Sequence, residues 1–202
     1  MELVRHSVAV ITLDTSCVVA LAHDQPTNDP REVEALELLM DLARQGTLGL
    51  QLTSAYERDF ERFKDEAGRA DRLAWLSKAP VIQRVGGIFR FDVSGWDGPD
   101  LLASPEDEQL DQDLRLLLGP LGVRPDVEAA DQVAPSRAPK VFSDIDHLIA
   151  HKRSGAQFFV TLDNKTILKK RERLQALGIE DSIDYIGEDY GHTGAAQAEY
   201  LL

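Results

Sequence analysis

Cysteine and long hydrophobic runs are scarce in this sequence. Cys17 is the one cysteine of the chain, so no intrachain disulfide can form, and we expect a reducing compartment. The apolar stretch from Val8 to Leu21 is interrupted by Asp14 and is too short to span a bilayer. These two shortages lead us to expect a cytoplasmic protein with no membrane partner.

Positive charge is also in short supply. The chain has 22 Lys+Arg against 35 Asp+Glu, a formal net charge of −13, which opposes non-specific binding to nucleic acid or to an anionic membrane. A polyanion partner therefore needs a local basic patch. One such patch lies between Arg137 and Arg173, where nine basic residues outnumber four acidic ones and leave a local balance of +5. A solvated helix face is the ordinary explanation of such a patch, and contact with phosphates is the functional one.

The chain is long and apolar enough for a full core. With 202 residues, 43% of them hydrophobic, we expect a single domain over residues 1–202. Strand and helix patterns alternate at the start, loosen between about residues 67 and 139, and return as helix, strand and helix after Val141. This order predicts an α/β fold, a three-layer α/β/α sandwich with a central, mainly parallel sheet, carrying an elaboration at about 67–139.

Periodicity and capping residues predict the individual elements. Strands are expected over 8–13, 48–53, 87–93 and 157–162, with a further edge strand from Ile183. Helices are expected from Pro30 to Gly46, from Ser54, around 73–76, and over 105–118, 143–153 and 166–177. The stretch from Pro135 to Pro139 is expected to be an exposed linker.

Two buried strands of the predicted sheet end in aspartate. The β-branched run that begins at Val8 ends at Asp14, and the strand over 157–162 ends at Asp163. Parallel strands bring their carboxyl ends to one edge of the sheet, where open α/β proteins bind ligands, so the two carboxylates are expected to be neighbours. Such a pair is costly unless protons or a divalent cation neutralise it, and Mg²⁺ and Mn²⁺ prefer oxygen ligands. The sequence therefore predicts a metal site at this edge, with capping by Asp14 as the ordinary alternative.

The helix after the second strand offers a further acid. The buried face of this helix is taken to be Tyr56, Phe60 and Phe63. Asp59 then lies closest to that face, whereas Glu57 and Glu61 point further toward solvent. Glu57 also completes a capping-box pattern with Ser54. A charged residue beside a buried face needs a partner, and a shared cation would serve. Asp59 is therefore our choice from this helix, and Glu57 is the alternative.

Asp144 and Asp146 add two acids to the helix that leads into the last buried strand. They also match a capping box, in which Ser143 caps the helix and Asp146 reaches back. His147 and His151 have the spacing of a zinc pair, yet no further zinc ligands lie near them in sequence. We expect these histidines to face solvent or to line a surface.

Four blocks of the sequence together resemble a known family. In chain order they are Leu13-Asp14-Thr15-Ser16, Leu52-Thr53-Ser54 followed within two turns by an acid, Asp146-His147-Leu148-Ile149-Ala150, and Phe159-Val160-Thr161-Leu162-Asp163. Their order and spacing resemble the PIN domain of ribonucleases, a family that includes VapC-type toxins. The resemblance covers about residues 8–66 and 141–178 and leaves out the middle of the chain.

The resemblance implies a ribonuclease that depends on Mg²⁺ or Mn²⁺. In this family four acidic residues hold one or two such ions and hydrolyse RNA phosphodiester bonds, leaving 5′-phosphate and 3′-hydroxyl ends. As catalytic residues and metal ligands they correspond to Asp14, Asp59, Asp146 and Asp163. Asp59 stands where the family usually has Glu, and the alternative metal ligands are Glu57 and Asp144. Supporting hydroxyls correspond to Thr15, Ser16 and Thr161.

A variant and several partners follow from the resemblance. Asp146→Asn is predicted to abolish cleavage and to leave the fold intact. RNA is the expected partner, and the expected phosphate contacts are Lys165, Lys169, Lys170 and Arg171. Because toxins of this family are covered by an antitoxin and many such domains dimerise, an antitoxin-like protein and a second copy of the chain are further expected partners.

A catalytically inactive PIN-like protein-interaction module is the alternative. The overall acidity of the chain, the Asp in place of the usual second Glu and the long middle segment all favour it. The retained carboxylates at Asp14, Asp146 and Asp163 oppose it, because such a cluster is costly to keep without a function.

Overall fold

The computed structural model describes residues 8–22, 29–61, 66–90, 94, 98–119, 138–179 and 183–185. The strands described are β1 (Ala9–Leu13), β2 (Leu48–Thr53), β3 (Val81–Val85), β4 (Phe158–Thr161) and β5 (Ile183–Tyr185). The helices described are α1 (Thr15–Ala22), α2 (Pro30–Arg44), α3 (Ala55–Glu61), α4 (Glu66–Leu76), α5 (Pro105–Leu118), α6 (Ala138–Ser154) and α7 (Arg171–Ala176), with a 3₁₀ turn, Leu168–Lys170, before α7. None of these helices is long and apolar enough to cross a lipid bilayer.

The strands form one parallel sheet in the order β3-β2-β1-β4-β5. β1 lies at its centre, where Ile11 is in register with Leu50 of β2 on one side and with Phe158 of β4 on the other. The chain runs from β1 outward to β3 and returns to β4 on the other side of β1, so the strand order reverses between β1 and β4. Open α/β sheets bind ligands beyond the carboxyl ends of the strands at such a reversal. The ends of β1 and β4 therefore define the candidate crevice.

Helices cover both faces of the sheet, which gives three layers. Phe159 and Val160 are neighbours in β4 and belong to two different hydrophobic cores, because successive side chains of a strand point to opposite faces. The core around Val160 includes Leu36 of α2, and the core around Phe159 includes Leu114 of α5 and Leu148 of α6. The predicted α/β/α class with a parallel sheet is confirmed.

Several predicted elements have the expected bounds. β2 spans Leu48–Thr53, and α5 spans Pro105–Leu118 behind a capping box formed by Ser104 and Asp107. α2 begins at Pro30, behind the capping side chain of Asp29. The edge strand expected from Ile183 is β5. Element ends are predictable here because local caps and tertiary packing agree.

The start of α6 differs from the prediction. The helix begins at Ala138 and not at Ser143, so Pro139 belongs to its first turn and not to a linker. Proline is tolerated there, because the first backbone N–H groups of a helix have no partner within the helix. The predicted linker residues before Ala138 lie outside the described residues.

The strand predicted over 87–93 is wrong as far as the structure describes that stretch. Ile88 makes only an isolated bridge with Leu101, and residues 91–93 lie outside the described residues. The strand that pairs with β2 is instead β3, Val81–Val85, which was not predicted. It lies at an edge of the sheet and its middle residues are exposed, so it lacks the apolar pattern of a buried strand.

The long helix predicted over 166–177 is also wrong. The chain after β4 first turns, because the carboxylate of Asp163 accepts hydrogen bonds from the backbone N–H groups of Lys165 and Thr166. The 3₁₀ turn and the short helix α7 follow, and Gly178 takes a φ of +69° just after the end of α7. Such side-chain turns compete with helix formation, and periodicity does not reveal them.

Leu114 tests whether α5 belongs to the core. It is fully buried, whereas Leu116 on the same helix is 53% exposed. We expect Leu114→Ala to lower the free energy of unfolding by about 2–5 kcal/mol, because it leaves a cavity between α5 and α6, and Leu116→Ala to lower it by less than about 1 kcal/mol. Urea unfolding followed by circular dichroism measures both values. Equal losses in the two variants would contradict the packing of α5 described above.

Candidate functional site

Asp14, directly after β1, is the first residue of the candidate site. Its backbone N–H donates to the Val160 carbonyl at 2.9 Å, which joins the ends of β1 and β4. Its Oδ2 accepts hydrogen bonds from Ser16 Oγ at 2.5 Å and from Thr161 Oγ1 at 2.8 Å. Because Asp14 is buried, these hydroxyls replace water around its carboxylate. Ser16 and Thr161, both predicted as supporting hydroxyls, thus contact Asp14.

Asp144 of α6 lies close to the same carboxylate. It is 7% exposed, and its Oδ2 has no hydrogen-bond partner among the described residues. Burial raises the pKa of its carboxyl to about 7; Asp14 and Asp163 also raise the pKa, whereas Lys140 and His147 lower it. A buried carboxylate oxygen without a partner costs free energy until a proton or a cation neutralises it.

Asp163 follows β4 and is held by two kinds of donor. Its Oδ1 accepts from the backbone N–H groups of Lys165 at 3.0 Å and of Thr166 at 2.8 Å. Its Oδ2 accepts from Lys140 Nζ at 3.1 Å. Although burial raises the pKa of Asp163, the Thr166 N–H and the Lys140 ammonium outweigh that effect and hold the pKa below its ordinary value. Asp163 is therefore ionised and paired.

Asp59 of α3 is surrounded by protein donors. Its Oδ2 accepts from Thr15 Oγ1 at 2.6 Å and lies 3.2 Å from His147 Nε2, and its Oδ1 accepts from Ser143 Oγ at 2.5 Å. Burial alone would raise the pKa of Asp59, but His147, Ser143 and Thr15 lower it to about 2. The helical periodicity of α3 predicted that Asp59 lies beside the buried face, and Asp59 is indeed less exposed than Glu57. The same three donors satisfy both of its oxygens.

Two buried histidines of α6 form a polar layer against the sheet. His147 Nδ1 lies 2.5 Å from Thr53 Oγ1 at the end of β2, and its Nε2 lies 3.0 Å from Thr15 Oγ1. His151 Nδ1 lies 2.8 Å from Thr12 Oγ1 in β1, and burial lowers the pKa of His151 to about 4. The imidazoles of α6 therefore pack against the hydroxyl groups of Thr12 in β1, Thr53 in β2 and Thr15 in α1.

The role of His147 in this layer was missed by the sequence analysis. Both histidines are buried and do not face solvent. A usable signal was present, because Asp144, His147 and His151 have the spacing of one helix face and the polar stripe lies on an otherwise apolar helix. A polar stripe that faces a sheet must find partners on that sheet.

Asp146, predicted to join the other acids, lies elsewhere. It follows Asp144 by two positions, about 200° around a helix, and therefore points to the opposite side. Its buried carboxylate accepts from Arg58 Nη2 at 2.5 Å and from Arg90 Nη2 at 2.7 Å, and Arg90 also pairs with Asp111. Asp146→Asn would thus leave two buried guanidinium groups short of a partner, which opposes the predicted intact fold. The acids that the structure does bring to one area are Asp14, Asp59, Asp144 and Asp163.

Neither capping-box pattern of the sequence is used. Ser54 Oγ donates to Asp100 Oδ1, and Glu57 is 60% exposed and pairs with Arg84. Ser143 lies inside α6 and donates to Asp59. Glu57, the alternative to Asp59, is therefore outside the group of site acids.

The predicted phosphate contacts differ in their exposure. Lys165 and Lys169 are exposed and follow Asp163 closely in the chain. Lys170 and Arg171 are half-buried, and Lys170 Nζ donates to the Leu117 carbonyl at the end of α5. Lys165 and Lys169 are thus the lysines of this group that solvent and ligands reach most easily.

The site has the donors for a hard divalent cation, although they are not assembled around one. Among the described residues, no three carboxylate, imidazole or thiol side chains lie close enough together to hold a metal ion. Asp59 and Asp163 are occupied by protein donors, whereas Oδ2 of Asp144 has no hydrogen-bond partner within the described part of the chain. The oxygen chemistry suits Mg²⁺ or Mn²⁺, and binding of either ion would require Asp144 and Asp163 to move closer to Asp14.

No protein-family model matches this chain, and a comparison with curated proteins finds no match either. Any function assigned to the site depends on the side chains at the ends of β1 and β4.

Asp144→Asn is expected to stabilise the metal-free protein at high pH. Between the ordinary carboxyl pKa of 3.8 and about 7, the native state keeps a proton that the unfolded state has lost, so this group's contribution to stability falls as pH rises. The amide carries no charge at either pH. We expect the variant to raise the free energy of unfolding by about 1–3 kcal/mol at pH 8 and to change it little at pH 4. Urea unfolding in EDTA at both pH values measures the difference.

Asp146→Asn is the matched control on the same helix. It should lower the free energy of unfolding at pH 8 by about 2–4 kcal/mol, because Arg58 and Arg90 lose a charged partner. The loss should be smaller at pH 4, because burial raises the pKa of Asp146 and its carboxyl is then largely protonated. A loss of similar size in Asp144→Asn at pH 8 would contradict the presence of an uncompensated carboxylate at Asp144.

Proposed function

We propose that this chain is a metal-dependent endoribonuclease with a PIN-like fold that hydrolyses phosphodiester bonds of RNA. The observation that carries the proposal is the buried Oδ2 of Asp144, which has no hydrogen-bond partner among the described residues and belongs to a carboxyl whose pKa is raised by burial and by the charges of Asp14 and Asp163. Asp14 follows β1 and Asp163 follows β4, the two strands at the reversal of strand order, where open α/β sheets bind ligands. The resemblance of four sequence blocks to PIN ribonucleases supports the same function.

Asp14, Asp144 and Asp163 are the ligands that we propose for Mg²⁺ or Mn²⁺. Asp144 takes the position that the resemblance gave to Asp146, because Asp146 is held in ion pairs on the opposite side of α6. Asp59 remains part of the proposed site as an acid that fixes the first turn of α1 and the polar side of α6. Its donors leave it less able than Asp144 to bind a cation.

The protein's own groups supply placement. A bound divalent cation supplies Lewis-acid polarisation of the scissile phosphate and of the attacking water. Ser16 and Thr161 hold Oδ2 of Asp14 from two sides, so that carboxylate keeps one orientation. Thr15 and Ser143 do the same for Asp59. Carboxylates that are held in one orientation lower the cost of reorganisation during the reaction.

Positive charge beside the site supports an RNA substrate. Lys165 and Lys169 are exposed just after Asp163, although the chain as a whole has a net charge of −13. A polyanion would therefore be attracted locally and repelled elsewhere. The same proposal includes a role as the toxin of a toxin–antitoxin pair, with an antitoxin-like protein as partner. It also includes a homodimer and a cytoplasmic location.

A PIN-like protein-interaction module without catalysis is the second candidate. The observation that favours it is the absence, within the described ranges, of three candidate ligands grouped tightly enough for a metal. Asp59, with both oxygens occupied, fits such a module as well as it fits a nuclease. Binding of Mn²⁺ separates the two candidates.

Cleavage of a labelled mixed RNA pool in Mn²⁺ tests the nuclease proposal. We expect the wild type to cleave in Mn²⁺ and not in EDTA, and Asp14→Asn and Asp144→Asn to be slower by about 100-fold or more, because each removes a ligand charge. Asp41→Asn is the matched control, since Asp41 is an exposed acid of α2 that pairs with Arg44. It should cleave at the wild-type rate. Circular dichroism verifies that each variant is folded.

The outcomes distinguish the candidates. No cleavage together with no Mn²⁺ binding by calorimetry would exclude the nuclease and favour the interaction module. Unchanged cleavage by Asp144→Asn would overturn the assignment of that residue as a ligand. Mn²⁺ binding without cleavage of the pool would retain the metal site and indicate a narrower RNA substrate.

A further inference from the structure

Lys140 stands at the solvent side of the candidate site and is not among the predicted phosphate contacts. It lies near the start of α6. Its Nζ donates to Asp163 Oδ2 at 3.1 Å, although its side chain is 65% exposed. An ion pair with that much exposure is weak and exchanges readily for other partners.

Three carboxylates act on this ammonium. Burial of part of the side chain lowers the pKa of Lys140, but Asp144, Asp163 and Asp14 raise it above its ordinary value. The same three acids are the proposed ligands of the divalent cation. Because Lys140 Nζ donates to Asp163 Oδ2 at 3.1 Å, the ammonium occupies a carboxylate oxygen that a cation would bind.

We propose that Lys140 competes with the divalent cation for Asp163 and, once displaced, binds a phosphate of the RNA. The inference rests on the proposed function. A divalent cation on Asp163 repels an ammonium a few ångströms away, and the flexible four-carbon stem lets the ammonium move without moving α6. Lys140 thus pairs with the Asp163 carboxylate in the metal-free protein and contacts the RNA phosphate in the metal-bound protein.

Phosphate is the partner that the surroundings favour for the displaced ammonium. The buried arginines nearest α6 on its other side are already paired, Arg58 with Asp100 and Asp146, and Arg90 with Asp111 and Asp146. Lys140, by contrast, has an exposed side chain at the edge of the crevice. An ammonium and a phosphate oxyanion form a charge-assisted hydrogen bond, and no backbone movement is needed.

Lys140→Met tests the two parts of the proposal separately, because it should strengthen the binding of Mn²⁺ and weaken the binding of a phosphate ligand. Calorimetry of the full chain should show Mn²⁺ binding about three- to tenfold tighter in the variant, because a competing charge is gone. Binding of uridine 5′-monophosphate in saturating Mn²⁺ should be about three- to tenfold weaker, because a phosphate donor is gone. A merely structural role for Lys140 would not strengthen one ligand and weaken the other.

Two variants control for charge and for folding. Lys140→Arg keeps the positive charge and should stay within about twofold of the wild type for Mn²⁺ and for the nucleotide. Lys152→Met removes the same charge at the other end of α6, where its Nζ donates to the Leu177 carbonyl, and should change neither affinity. Thermal unfolding verifies that Lys140→Met is as stable as Lys152→Met.

Failure of the inference is distinguishable from failure of the proposed function. If the wild type binds Mn²⁺ and Lys140→Met binds it no more tightly, the competition is refuted. If Mn²⁺ binds more tightly but the nucleotide binds equally well, the phosphate contact is refuted. Mn²⁺ binding by Lys140→Met and not by the wild type would support the competition. Absence of Mn²⁺ binding in every variant would overturn the proposed function and the inference together.

Discussion

The carboxylates buried beyond the ends of β1 and β4 need hydrogen-bond donors or positive charges to replace water. Most polar contacts of the site supply them. Each acid is compensated in its own way. Asp14 accepts from two hydroxyls, Asp59 accepts from hydroxyls of α1 and α6, and Asp163 accepts from two backbone N–H groups and an ammonium. Asp144 keeps a buried oxygen that has no hydrogen-bond partner in the described part of the chain. Folding has not recovered that free energy, and a ligand that binds only the native state would recover it.

A second network of charges fixes the rotation of α6. Asp146 lies between Arg58 of α3 and Arg90 of the middle segment, and Arg90 continues to Asp111 of α5. Breaking one member of such a buried network is costly, so the helix is held at this position. Because Asp144 and Asp146 lie on opposite sides of one helix, the anchored acid determines where the uncompensated acid points. The described part of the middle segment therefore orients α6 and contributes no acid to the site.

The sheet was predictable because buried parallel strands are apolar on both faces, and the exposed edge strand β3 was not, because it lacks that pattern. Asp14 and Asp163 were predictable for a related reason, since a strand end fixes where the next side chain lies. Spacing did not separate Asp144 from Asp146. Both are acids of one helix, and the choice between them depends on Arg58 and Arg90, which are distant in sequence. A short motif shows which residue types are present, whereas contacts with residues distant in sequence determine which of these side chains points into the site.

The distribution of compensated charge also determines the side from which a polyanion would approach. On the side of α6 that faces the middle segment, Arg58 and Arg90 are neutralised by buried acids and offer no net attraction. On the side of β4, the exposed Lys140 pairs with Asp163, and Lys165 and Lys169 are exposed in the segment that follows Asp163. Salt largely screens the interaction between exposed charges that are more than about 10 Å apart. The exposed lysines therefore attract a polyanion only at short range, where their charge outweighs the overall negative charge of the chain. A polyanion that approaches the ends of β1 and β4 would therefore meet the exposed lysines on the side of β4, where Lys140 Nζ donates to Asp163 Oδ2.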